Sequence, residues 1–390
     1  MHKFCRSPIT CLRCVLFIAD DWLLRLTQCA VVDTPQGELP ASFGGLAELR
    51  ELYIDGNTLE GNPLPIVTQL PSLDMLYIEE NFFTGDITDT FATSLPSTVR
   101  ALDLSENQFT LASTTFPTQL FALPNLTVLD LSKNQLAGSM ADSIPVQNNL
   151  VFFSVHENQL TGVVPGSLTN LDTLHHLDLS NNDFGGAMPT TLFQQPVLYQ
   201  IFLAENPGFT AGPIPSLNSE LRELSLKNTN RNGPLPDLVN FNALHILDLD
   251  DNALTGTIPA HYGQLLELRH LLLNSNPGIT GTLPLFTTTY NLGTVLLDKT
   301  GVTGDFNSIC NLPTFQGIHA IDTEVVMIAD CANTDSAIQC DCCHCCLREQ
   351  AVCSDPQVAS LDWTWESGFV RYARDFALNH TLLERPKLTP

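Results

Sequence analysis

The chain has no cysteine between residues 30 and 309, few basic residues and no long apolar run. Only 17 of its 390 residues are Lys or Arg, against 42 Asp or Glu, so the formal net charge is −25. This charge argues strongly against nucleic acid or an anionic membrane as the main partner. No stretch approaches the ~18 consecutive apolar residues that a membrane span requires.

Sequence motifs of common enzymes are also absent. The chain contains no Gly-x-Ser-x-Gly nucleophile elbow, no phosphate-binding Gly-rich loop, no His-Glu-x-x-His zinc helix and no kinase motif. We therefore predict a protein that is not an enzyme and that needs neither a cofactor nor a catalytic metal.

One template, Leu-x-x-Leu-x-Leu-x-x-Asn-x-Leu, recurs along most of the chain. Most copies start 23 or 24 residues apart, and a degenerate twelfth turn is expected from Phe315. A fixed period of this length is the mark of a repeat protein, in which each unit buries its apolar face against its neighbours. The copies start at Leu49, Leu73, Val99, Leu126, Leu150, Leu174, Leu198, Leu221, Leu244, Leu268 and Leu292.

The template follows from the geometry of stacked, paired strands. Apolar residues at positions 1, 4 and 6 of a copy point to a shared interior, while neighbouring copies pair edge to edge as strands. The Asn at position 9 is expected to satisfy backbone groups inside the turn, and Thr229 and Thr300 replace it in two copies. The Asn residues are Asn57, Asn81, Asn107, Asn134, Asn158, Asn182, Asn206, Asn252 and Asn276.

A second motif, Gly-x-(Ile/Leu/Val)-Pro, follows many copies in phase, as in LTGVVP from Leu160 and LTGTIP from Leu254. With the first template, it resembles the plant-type extracellular leucine-rich repeats of receptor-like proteins, receptor kinase ectodomains and polygalacturonase inhibitors. The resemblance covers roughly residues 37–310. It implies an α/β solenoid of about 11–12 repeats, wound as a right-handed superhelix with a parallel β-sheet on its concave face.

The cysteines frame the repeats and suggest four regions. These are an N-terminal segment or degenerate cap over 1–36, repeats over 37–309, a Cys-rich cap over 310–353, and a tail over 354–390 with an amphipathic helix. A disulfide-rich cap would cover the apolar end of the solenoid. The CDCCHCC run resembles the C-terminal cap of microalgal leucine-rich repeat proteins. The predicted cap cysteines are Cys310, Cys331, Cys340, Cys342, Cys343, Cys345, Cys346 and Cys353.

Two alternatives stay open for this cap. The even number of cysteines allows four bridges in many connectivities. Closely spaced thiolates with His344 could instead ligate zinc or copper in a reducing compartment.

Function is expected on the strand positions that face solvent on the concave sheet, because the scaffold does not require them. Large aromatic side chains there supply contact area at low entropic cost. The alternative is that Phe152 and Phe202 merely stack on each other across the sheet. The candidate ligand-binding residues are Tyr53, Tyr77, Phe152, His156, His175, His176, Tyr199, Phe202, His245 and His270.

Two further hypotheses concern charge on this face. The histidines would make binding change between about pH 5 and 8. An acidic rim at the strand ends would attract basic peptides, bind calcium weakly, or simply keep the surface hydrated. The rim comprises Asp55, Glu79, Glu80, Glu106, Glu157, Glu205, Asp250, Asp251 and Asp298.

The sequence thus favours a secreted or cell-surface recognition protein that binds a protein, a peptide or a cell-wall polysaccharide and signals through a co-receptor. Sequons at Asn125 and Asn379 are candidate glycosylation sites. The apolar stretch Val15–Ala19 is short for a signal-peptide core. The alternatives are a structural or adhesive wall or matrix protein and an intracellular repeat scaffold.

Overall fold

The computed structural model describes residues 12–20, 23–31, 37–146, 149–315, 326–331 and 337–345. The chain divides into two compact units, the first running to Phe184 and the second starting at Gly185. From Glu51 onward, short parallel strands alternate with turns in both units, as the 23- to 24-residue period predicts.

The main sheet of the first unit gains one strand per repeat copy. Its first two strands form an antiparallel pair, and every later strand is parallel to the one before it. The strands are Leu12–Asp20, Leu23–Val31, Glu51–Tyr53, Met75–Tyr77, Ala101–Asp103, Val128–Asp130, Phe152–Ser154 and His176–Asp178.

The second unit builds its main sheet in the same way. The strand that follows Thr294–Leu296 is Val326–Ala329, so the strand of the degenerate turn lies further along than the expected start at Phe315. The strands are Gln200–Phe202, Glu223–Ser225, Ile246–Asp248, His270–Leu272, Thr294–Leu296, Val326–Ala329 and His344–Cys345.

Shorter strands form separate ladders after the template strands. In the first unit these are Glu60–Gly61, Phe82–Ile87 and Gln108–Leu111, and then Ala137–Ser139 and Gln159–Val163. The next strand of these ladders is Asp183–Gly186, and the boundary between the two units falls within it. In the second unit the ladders are Gly208–Phe209, and then Gly212–Pro213, Arg231–Pro234, Ala253–Thr257, Gly278–Thr282, Gly301–Asp305 and Ile338–Gln339.

Short helices fill the remaining part of several repeats. The 3₁₀ helices are Ala41–Gly45, Thr118–Ala122, Gly166–Asn170, Leu192–Gln194 and Ala260–Gln264, and the α-helices are Leu64–Val67, Asp89–Ser94 and Asn307–Cys310.

The core of each unit is made by the template positions. Leu102 and Leu104, at positions 4 and 6 of one copy, have no exposed surface, and Leu129 and Leu131 repeat the pattern in the next copy. The predicted role of the leucines is therefore confirmed. Burying such a side chain completely contributes about 1.5–3 kcal/mol.

The Asn at position 9 is a hydrogen-bonding hub, as predicted. Asn107 Nδ2 donates to the carbonyl oxygens of Ile78 and Ser105, each at 2.9 Å, and its Oδ1 accepts from the Phe83 amide at 2.9 Å. The side chain thus ties one copy to the copy before it. Since unpaired backbone groups are costly when buried, these bonds stabilise the stacking of the copies.

Candidate functional site on the outer face of the main sheet

Successive residues of a strand point to opposite sides of a sheet. Positions 4 and 6 of each copy point into the core, so positions 3, 5 and 7 point away from it. Together with position 2, at the start of each strand, they make the surface that we call the outer face.

In the first unit the outer face is more closely packed than the sequence suggested. The candidate aromatic and imidazole residues were expected to face solvent, and for four of them this expectation was wrong. The exposed fractions are 5% for Tyr77, 0% for Phe152, 2% for His156 and 2% for His176. Tyr53 and His175 keep intermediate exposure. Most of these residues therefore stabilise the fold and are not free contact area.

Stacking between neighbouring strands accounts for part of this burial. The rings of Tyr53 and Tyr77 are parallel with centroids 4.8 Å apart, and those of Phe152 and His176 are parallel at 4.4 Å. Within the first unit, the stacking partner of Phe152 is therefore His176 on the next strand. Parallel strands lie about 4.8 Å apart, which is the thickness that two stacked rings require.

His156 lies in a polar cluster that the sequence analysis did not assemble. Its Nδ1 is 3.1 Å from the Ser154 hydroxyl and 3.6 Å from an Asp178 carboxylate oxygen. Its Nε2 is 3.8 Å from Glu157. These contacts orient the ring within the sheet, so His156 is held by structural partners.

Position 5 carries buried carboxylates that the sequence analysis missed. Asp103, Asp130 and Asp178 are exposed by at most 2%, and Asp103 and Asp130 each accept a hydrogen bond of 2.6 Å from the Ser hydroxyl two residues later. Burial, reinforced by the neighbouring Asp103, raises the pKa of Asp130. The repeated sequence Leu-Asp-Leu-Ser was the signal that could have identified this column.

In the second unit the predicted residues divide between surface and interior. Tyr199, His245 and His270 have intermediate exposure, whereas Phe202 is only 4% exposed. His270 Nδ1 lies 3.0 Å from the Thr294 hydroxyl. Burial, with Arg269 and His245 nearby, lowers the pKa of His270 to about 4. His270 therefore stays neutral over the pH 5–8 window in which it was expected to titrate.

The acidic rim is only partly a hydrated surface. Glu79 and Asp250 are buried, whereas Glu80, Glu157 and Asp251 are exposed. Burial beside Asp248 raises the pKa of Asp250. Lysines reduce the negative charge of two rim segments, since Lys133 Nζ lies 2.8 Å from Glu106 and Lys227 Nζ lies 3.3 Å from Glu205.

Position 8 has an unusual backbone. The chain turns out of each strand there with φ near +50° in most copies, a region in which side chains other than Gly and Asn are disfavoured. Glu80, Glu106, Glu157, Glu205 and Asp251 all adopt it, with φ between 49° and 54°. These five rim acids therefore adopt a disfavoured backbone conformation, which lowers the free energy of unfolding.

Position 2 of the second unit holds a row that the sequence analysis did not recognise as a group, made by Tyr199, Arg222, His245 and Arg269. We call it the strand-start row. The backbone amides of Arg222, His245 and Arg269 each donate to the carbonyl oxygen of the row member before it, at 2.8, 2.6 and 2.8 Å. These bonds fix the four residues side by side. A comparison of template position 2 between consecutive copies would have identified these four residues.

The strand-start row is cationic and accessible. Arg269 is exposed, and Tyr199, Arg222 and His245 have intermediate exposure. The Arg222 guanidinium lies 4.5 Å from the centre of the Tyr199 ring, a cation–π contact. Burial lowers the pKa of His245, and the positive charge of Arg269 lowers it further. The two arginines therefore carry the charge of the row at neutral pH.

The cysteines at the C-terminal end are paired in the structure. The disulfides are Cys310–Cys342, Cys331–Cys345 and Cys340–Cys343. The sulfurs of Cys310, Cys340 and Cys342 lie within 4.8 Å of one another, but disulfide sulfurs are not the thiolates that zinc binds. Cys346 and Cys353 lie outside the described residues.

The remaining sequence-based sites are partly described. Asn125 is exposed, and its Nδ2 donates to the Ser97 carbonyl oxygen at 2.7 Å, so glycosylation there stays a prediction. Asn379 and the predicted helix of the tail lie outside the described residues. Within the described ranges, no helix combines the length and the apolar character needed to cross a lipid bilayer.

Comparison with known proteins agrees with this geometry. The Leucine Rich Repeat family model matches residues 125–146 and 173–194. The crystal structures of PEPR1-AtPEP1 and of a TDR receptor both align with a TM-score of 0.64 and 24% identity, over 72% and 75% of this chain. The chain is a leucine-rich repeat solenoid.

The leucine-rich repeats also resemble those of named plant receptors, which confirms the resemblance drawn from the sequence. Receptor-like protein 39 of Arabidopsis thaliana is 32% identical over 108 residues, or 28% of this chain and 12% of that protein. The peptide hormone receptor RGFR1 in complex with RGF2 is 26% identical with a TM-score of 0.55. The chain spans only 39%, 48% and 52% of the PEPR1, TDR and RGFR1 chains.

Proposed function

We propose that this chain is a non-enzymatic, receptor-like recognition module that binds a peptide or protein ligand on the outer face of its main sheet, outside the cell or at its surface. The observation that carries the proposal is the strand-start row. Its four side chains are aligned by backbone hydrogen bonds, and they include an accessible aromatic ring and two arginines.

The scaffold accounts for the other template positions but not for this row. Positions 1, 4 and 6 fill the core, position 9 joins the copies, and much of positions 3, 5 and 7 is buried. Hydration of the surface alone does not require an aromatic side chain at this position. Here the Tyr199 ring packs against the Arg222 guanidinium. Tyr and Arg are the residue types that most often dominate binding energy at protein interfaces.

The comparisons support a peptide or protein ligand in preference to a wall polysaccharide. One of the similar structures is a plant peptide hormone receptor, RGFR1, in complex with RGF2. Disulfides at the end of the repeats support an oxidising, extracellular compartment. A co-receptor would then be needed to pass a signal onward.

The test is selection of random-sequence displayed peptides on the immobilised full chain, followed by measurement of each enriched peptide on variants. Arg222→Gln/Arg269→Gln alters the strand-start row. Thr255→Ala is the matched control, because Thr255 is exposed on a strand of the separate ladder. We expect enriched peptides to lose binding to the double variant only. Failure to enrich any sequence, or equal loss on both variants, would overturn the proposal and favour diffuse adhesion.

A further inference from the structure

The strand-start row is a local exception in a strongly acidic protein. The chain carries only 17 Lys and Arg residues at a net charge of −25, yet Arg222, His245 and Arg269 directly precede three consecutive strands of one sheet. Among the described residues, no carboxylate lies within ion-pair distance of either arginine. Two guanidinium groups therefore present hydrogen-bond donors whose natural partners are carboxylates.

Two acidic groups lie near the row, and neither is within ion-pair distance of its arginines. Glu223 is 4% exposed, and its carboxylate accepts a hydrogen bond of 2.9 Å from Gln200. Burial raises its pKa to about 7, although the nearby charges of Arg222 and Arg269 oppose this rise. Glu267, beside His245, accepts a hydrogen bond of 3.4 Å from Asn291. Both guanidinium groups therefore keep donors that no described carboxylate pairs with, and charges more than about 8 Å away are largely screened at physiological salt.

The spacing of the row selects a ligand conformation. Arg222 and Arg269 are separated by two strand steps, which is about 9.6 Å at ~4.8 Å per step. In a polyproline II helix, residues three apart point the same way and are separated by about 9.3 Å, from a rise of ~3.1 Å per residue. In an extended strand, residues three apart point to opposite sides. A polyproline II segment thus matches the row, and a β-strand does not.

We propose that the strand-start row binds an acidic, proline-rich peptide in the polyproline II conformation, through two Asp or Glu residues that are three positions apart. One carboxylate lies on Arg222 and the other on Arg269. His245 lies under the intervening backbone, and Tyr199 extends the contact beyond the first acid. This proposal rests on the proposed function and names the chemistry of its ligand.

The experiment measures binding of synthetic peptides to the full disulfide-bonded chain by calorimetry. The probe is Ac-Pro-Glu-Pro-Pro-Glu-Pro-NH₂, whose two acids are three apart. The first comparison peptide has the same composition with the two acids adjacent. The second has Gln in place of both Glu residues.

We expect the probe to bind at least fivefold more tightly than the adjacent-acid peptide, and the Gln peptide not to bind measurably. Arg222→Gln and Arg269→Gln should each weaken the probe about tenfold, the usual loss for one charge-assisted hydrogen bond. Arg50→Gln is the matched control. It removes the same charge from the same template position of the first unit, where Arg50 is exposed, and it should leave affinity unchanged.

Equal binding of the two acidic peptides, or equal loss on Arg50→Gln, would overturn the proposal, because either result would show unspecific charge attraction. The peptide selection described above separates this failure from failure of the proposed function. Enriched peptides that need the row but lack paired acids would keep the proposed function and reject the acidic ligand. A circular dichroism spectrum identical to that of the unaltered chain confirms that each variant is folded.

Discussion

Replacing Asn276 by Ala tests how the repeats are held together. Asn276 is fully buried. Its Oδ1 accepts from the Leu254 amide at 3.0 Å, and its Nδ2 donates to the carbonyl oxygens of Leu249, Leu273 and Asn274 at 2.9, 3.1 and 3.1 Å. Alanine would leave the Leu254 amide without its partner, at a cost of about 1–3 kcal/mol, and would remove several further bonds. We expect the free energy of unfolding to fall by about 3 kcal/mol.

The assay combines urea denaturation followed by circular dichroism with hydrogen exchange of the Leu254 amide. Exchange adds local information, because a repeat array need not unfold as a single unit. Asn276→Thr is the natural control. Thr229 and Thr300 occupy the same position in other copies, and the hydroxyl of each donates to the carbonyl oxygen three residues earlier at 2.6 Å.

Thr should therefore recover part of the loss at position 276. A loss of less than about 1 kcal/mol in Asn276→Ala would contradict the stabilising role of Asn276. Continued protection of the Leu254 amide, or a Thr variant no more stable than the Ala variant, would contradict it as well.

Three further predictions concern charge, backbone and oxidation state. Burial raises the pKa of Glu223 from 4.5 to about 7, so the folded state retains a proton that the unfolded state has lost, and stability should fall by ~2 kcal/mol as the pH rises from about 5 to 7; Glu223→Gln should reduce this change in the free energy of unfolding, measured by urea denaturation at both pH values. Glu157 has φ 50°, and Glu157→Asn should raise the free energy of unfolding by ~1 kcal/mol because Asn tolerates that conformation; an unchanged value would contradict the strain. Alkylation without reduction should label none of the six paired cysteines in a mass spectrum, and labelling of all six would instead favour a reduced or metal-bound cap.

Much of the fold could be predicted because every copy of the repeat carries the residues that form one strand and its buried contacts. A Leu at positions 4 and 6 has one place to be buried, so the strands and their parallel order follow from the period. The hub role of Asn107 followed from its position after the strand. The start of the last repeat was missed because the template is degenerate there, and Val326–Ala329 supplies the strand in place of a segment that starts at Phe315.

The candidate site was predicted less well, because sequence spacing gives the side of the sheet but not the burial on it. Phe152 and His176 lie on the predicted side and are buried. Their stacking depends on which residues oppose each other across two strands, and that register is a tertiary property. The strand-start row was missed although Arg222, His245 and Arg269 share template position 2, and only the structure shows that Arg222 packs over the Tyr199 ring.

The sequence by itself therefore determined the repeat, the residues of the core and the Asn hubs, because each of these follows from a fixed spacing within one copy. Only the tertiary structure decided which cysteines pair, which outer-face rings are buried, and how accessible the arginines of the strand-start row are. These outcomes depend on distances between copies, and a parallel ladder at about 4.8 Å per strand sets those distances after folding.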